Sequence, residues 1–135
     1  MRSVLTSLCT IALLLVVPSA ASAQVAVESV TFMRDDGAGA PGEVVSAFRP
    51  TDHTLYVQTT VDQVLVNPKG HVFWTAVETS AGDNIAIADA DLSGVLANTF
   101  TAHLSLPRDF PTGRYRVDFT LDDQLLQSAE FFVVE

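Results

Sequence analysis

From Thr99 to Leu106 the chain alternates strictly: Phe100, Ala102, Leu104 and Leu106 are apolar, while Thr99, Thr101, His103 and Ser105 are polar. The same period of two runs through Thr54–Val61 (Leu55, Val57, Thr59, Val61) and Arg114–Leu121 (Tyr115, Val117, Phe119, Leu121). It recurs in Gln124–Val134, with Ala129, Phe131 and Val133 inward. Successive side chains of a strand point to opposite faces, so this period marks strands with one buried side. No long 3.6-residue pattern competes, and only Ala90–Asn98 admits a short helical turn. Turn-forming strings recur about every ten residues, the spacing of a sandwich or barrel. They are Asp35–Gly42, Pro50–Asp52, Asn67–Gly70, Ser80–Asp83 and the hairpin candidate Asp122-Asp123. Between them lie further strands at Val25–Met33, Glu43–Phe48 and Val72–Thr79, and a short edge strand at Asn84–Ala88. Val72–Thr79 carries the only tryptophan, Trp74.

The first 23 residues follow a different logic. Arg2 supplies a positive start, Leu5–Val17 an apolar run, Pro18 a break, and Ala21-Ser22-Ala23 a small-residue cleavage pattern. The run is shorter than the roughly 20 apolar residues that span a bilayer. Residues 1–23 therefore read as a signal peptide, and residues 24–135 as a single domain in the periplasm or outside the cell. No membrane insertion is expected after cleavage. Cys9 is preceded by Leu8 and followed by the apolar run, which does not suit a lipid-bearing cysteine. It is the only cysteine, so the mature domain has neither disulfides nor thiolate metal sites and must be held by apolar packing.

The formal net charge is −9, and loss of Arg2 with the leader deepens it. Nucleic acid is excluded as a partner, because phosphate neutralisation needs lysine and arginine. The acids are scattered rather than massed, as on a solvated surface.

Two motifs carry a resemblance. Trp74 stands in the middle of the third major strand. The string Leu106-Pro107-x-x-Phe110-Pro111-x-Gly113-x-Tyr115 joins two alternating strands, with a tyrosine opening the second. The chain resembles immunoglobulin-type domains, whose tryptophan fills the core and whose tyrosine corner bonds to the upstream backbone. More narrowly, it is similar to small secreted bacterial immunoglobulin-like domains of uncharacterised function, which also share Phe48, Pro50 and Asp52. The likeness covers roughly residues 44–134 and lacks the cysteine pair of antibody domains. It implies an all-β, immunoglobulin-like antiparallel β-sandwich of seven to eight strands, exported and without catalytic residues.

The chemistry-bearing residues agree with a non-enzyme. There is no Gly-x-Ser-x-Gly elbow and no glycine-rich string opening a helix. Asp89, Asp91, Ser93 and Gly94 fill the first, third, fifth and sixth places of a calcium loop, but the twelfth is Phe100 rather than a bidentate glutamate. His53, His71 and His103 lie far apart in sequence, without metal-ligand spacing. No cofactor is expected.

A binding surface is the sharper reading. If Trp74 points inward, Phe73 and Val77 point outward, beside Arg114 and Arg116 and beside Leu126 and Phe132. Aromatics next to arginine are favoured at interface centres. The expected function is an exported binding or accessory module that recognises protein through a sheet face or edge. The alternative is a periplasmic carrier of calcium or copper, using Asp89 and Asp91 or the histidines. A third possibility is an envelope component that self-associates through an exposed edge strand. Amino-terminal sequencing of the exported protein should begin at Gln24; a chain that begins at Met1 contradicts the leader reading.

Overall fold

The computed structural model describes residues 24–92 and 96–135. The expected leader lies outside them, as do Ser93 and Gly94. The described residues contain strands and no helix, and the strands form two sheets. β1 (Val27–Asp35), β2 (Pro41–Val44), β4 (Thr54–Val66) and β7 (Leu96–Ser105) make one, in the order β2-β1-β4-β7. β3 (Ala47–Phe48), β5 (Gly70–Thr79), β6 (Gly82–Asp91), β8 (Gly113–Leu121) and β9 (Gln124–Val133) make the other, in the order β3-β9-β8-β5-β6.

The period of two sets which residues meet. Leu55, Val57, Thr59 and Val61 of β4 are buried, as are Phe100, Ala102 and Leu104 of β7. From the second sheet come Val72, Trp74, Tyr115, Val117, Phe119, Phe131 and Val133. These two sets form one core. Phe32 of the first sheet lies 5.1 Å from Phe131 of the second, centroid to centroid, and Phe100 lies 5.3 Å from Phe119. Phe131 also stacks on Tyr115 at 5.2 Å and takes the edge of Trp74 at 5.9 Å.

The Pro/Gly string before β8 builds a hydrogen-bonded corner. The Tyr115 hydroxyl donates to the Pro111 carbonyl, and Phe110 N–H donates to the Pro50 carbonyl at 3.0 Å. Phe110 is itself buried and meets Tyr115 edge-on. Gly113 is required here: its φ is 144°, and a Cβ would sit 2.1 Å from the Glu78 carbonyl oxygen. At the other end of β8, Asp122 and Asp123 both adopt positive φ (50° and 65°). That is the left-handed pair a two-residue hairpin turn needs, made without glycine.

Four expectations are corrected. Within Ala90–Asn98 no described residue is helical: Ala90 and Asp91 end β6 and Leu96–Asn98 begin β7. The short edge strand at Asn84–Ala88 is longer, Gly82–Asp91. Glu43–Phe48 is two pieces in different sheets, which brings the strands among the described residues to nine. One pairing, β3 with β9, is parallel, so the second sheet is mixed rather than antiparallel.

Two measurements test this core. Trp74 Nε1 is buried and meets no acceptor among the described residues. Trp74→Ala should cost about 3–5 kcal/mol in urea unfolding through the cavity it leaves. Trp74→Phe should cost distinctly less, because it also removes a desolvated donor. Equal losses would contradict this account of the core. Burial also pushes the Tyr115 phenol up to about 12, from its ordinary value of 10. The unfolded chain ionises first, so stability falls as the pH rises from 10 towards 12. Melting curves across this range should fall less steeply for Tyr115→Phe than for the wild type. Parallel slopes would show that another group drives the loss.

Candidate interaction surface

The outer face of the second sheet is laid out by strand register. One cross-strand row runs Asp89–Phe73–Asp118–Ser128, the next Thr75–Arg116–Glu130, and the next Glu78–Arg114–Phe132. Phe73 (42% exposed) and Phe132 (45% exposed) thus stand on the predicted face, but two strands and two rows apart. At the usual strand spacing and rise this is on the order of 15 Å. The row between them is polar, so they do not form one apolar patch.

Arg114 and Arg116 also stand where expected, and both are paired. Arg114 lies 3.4 Å from Glu78 and 3.5 Å from Glu130, and Arg116 Nε donates to Asp118 at 3.2 Å. Ser128 Oγ donates to the other oxygen of Asp118. Exposed pairs of this kind add little stability. Their effect is to neutralise the arginines against neighbours on the same sheet.

Two predicted positions sit at register shifts in their strands. Leu126 sits where the β8–β9 register shifts between Phe119 and Thr120, and it packs against the core. One extra residue in β9 reverses the inward–outward phase, so Leu125, 61% exposed, takes the outer position opposite Thr120. Val77 sits at a similar shift between Ala76 and Glu78 and is half-buried. Neither shift has a glycine or proline to mark it in the sequence.

Phe73 and Phe132 line separate depressions. Phe73 lies with Lys69, His71, Asp91, Thr120 and Asp123 around a hollow of about 450 Å³. Its ring stands 4.7 Å from that of His71, and His71 Nε2 lies 3.0 Å from Asp89 Oδ1. Phe132 lies with Glu78, Gly113 and Arg114 on a shallower one. The Phe73 hollow combines an exposed ring, an imidazole, a lysine and carboxylates within one end of the sheet. Sequence reasoning found its aromatic and missed its polar wall, because Lys69, Asp91 and Asp123 come from three different segments.

The metal candidates fall into separate places: His71 bonds Asp89 at 3.0 Å and is the cross-strand partner of Asp91, whereas His53 and His103 lie apart from them. Asp89 and Asp91 lie on the extended strand β6 rather than in a loop. His53 Nε2 bonds Asp109 at 2.7 Å, while His103 stands against the Tyr56 ring on the first sheet. Among the described residues no three histidine, aspartate or glutamate side chains gather as a metal site. A polar contact that the sequence did not announce joins Tyr56 to Asp35, hydroxyl to carboxylate at 2.8 Å. This bond holds the Asp35 carboxyl below the usual carboxylate range and raises the Tyr56 phenol. Comparison with protein families finds no family model that matches this chain, and no curated protein matches it in sequence.

Proposed function

We propose that the protein is an exported, non-enzymatic, immunoglobulin-like β-sandwich that binds another protein through the outer face of its five-stranded sheet, at Phe73. The Trp74 core position and the Tyr115 corner support the fold reading. The observation that carries the binding reading is Phe73 itself: a large ring, 42% exposed on the interior strand β5, beside His71 and lining the hollow walled by Lys69 and Asp91. An exposed aromatic on a rigid strand loses little conformational freedom on binding, which suits it to anchor an interface. The paired arginines nearby belong to the rim. Export places such a module in the periplasm or outside the cell.

A photo-crosslinking amino acid at position 73, installed in the full chain and activated in cells, should give discrete adducts of higher mass. The same group at Thr31, on the other sheet, should give none. Equal labelling at both positions, or none at either, contradicts the reading.

A further inference from the structure

Sheet edges expose unpaired N–H and C=O groups, and proteins blunt them with proline, charge, bulges or brevity. Three of the four edges here are treated in that way. β2 is four residues long and opens on Pro41; β3 has two residues. β6 is long, but it carries Asp83, Asp89 and Asp91, and a register shift interrupts it opposite Trp74 and Thr75. β7 is the exception. It has ten residues, Leu96–Ser105, with no aspartate, glutamate, lysine, arginine or proline, and among the described residues its only sheet neighbour is β4.

The same strand is self-complementary. Thr99–Ser105 keeps strict alternation, with Phe100, Ala102 and Leu104 buried and Thr101, His103 and Ser105 exposed. An antiparallel pair of two such strands about Ala102 sets Thr99 against Ser105, Phe100 against Leu104, and Thr101 against His103 of the other copy. No like charges meet, and each side chain keeps its face. The equivalent pairing of β6 sets Asp83 against Asp91 and is repelled. At the far end of the β7 edge, Val66 and Leu96 are cross-strand partners, 74% and 67% exposed, with Val64 beside them at 57%. This apolar cluster is continuous with the open edge and enlarges the area that association covers.

We infer that β7 is a homodimer edge: two copies join β7 to β7 antiparallel, fusing their four-stranded sheets into one of eight. The net charge of −9 opposes this at long range. Added salt screens that repulsion and strengthens the dimer, whereas capture of a basic partner by the acidic β6 edge would weaken.

The test is the mass of the exported, purified protein by light scattering across a concentration series. The wild type should pass from one to two chain masses, with the dimer favoured by salt. Thr101→Asp with His103→Asp sets carboxylates against carboxylates and should leave only monomer. Thr101→Asp with His103→Lys sets opposite charges in register and should restore the dimer. Both positions are exposed, and circular dichroism melts check that each variant is folded. Independently of the variants, amide exchange in β7 of the wild type should slow as protein concentration rises. A wild type that stays monomeric, or a dimer that survives the double aspartate, overturns the inference. Neither result depends on what Phe73 binds.

Discussion

One ring, Phe131, fastens the two sheets. It touches Phe32 from the first sheet and Phe48, Trp74 and Tyr115 from the second. Four aromatic neighbours at 5.1–5.9 Å, one stacked, one tilted and two edge-on, combine large apolar burial with favourable ring geometry. Residues 24–135 contain no cysteine, so no disulfide shares this duty. The corner at Pro111–Tyr115 follows from the same packing. Tyr115 can stack on Phe131 only if its buried hydroxyl finds an acceptor, and the Pro111 carbonyl provides it.

With the interior occupied by rings, polar chemistry is confined to the outer faces, where most of it is self-satisfied. Arg34 bridges Glu43 and Asp52, spanning the segment in which the chain leaves one sheet for the other. Asp36 accepts from Ala38 N–H and Ala40 N–H, which closes the turn between β1 and β2. Charges spent on local geometry in this way are poor markers of a ligand site. What remains unusual is apolar: Phe73 on a face and Leu96 with Val66 at an edge.

The strands were legible because period two is a direct imprint of the pleat. Leu55, Trp74, Phe100, Tyr115 and Phe131 all fall inward where alternation puts them. Bulges were not legible. A single extra residue near Leu126 reverses the phase with no change in composition, so Leu125 and Leu126 exchange roles. The splitting of Glu43–Phe48 escaped for a related reason: alternation gives a face but never says to which sheet a short strand belongs. The hollow at Phe73 was half readable. Its ring follows from the position next to Trp74, whereas Lys69, Asp91 and Asp123 converge only through tertiary register.

The placement of β9 has a consequence for biosynthesis. This strand is inserted between β3 and β8, pairing in parallel with Ala47–Phe48 and antiparallel with Gly113–Leu121. It also delivers Phe131, the ring on which both layers close. A nascent polypeptide whose β9 is still inside the ribosome lacks an interior strand of the second sheet, and Phe32, Phe48, Trp74 and Tyr115 lack the ring they share. Closure of the two layers is thereby postponed until Gln124–Val133 has been released.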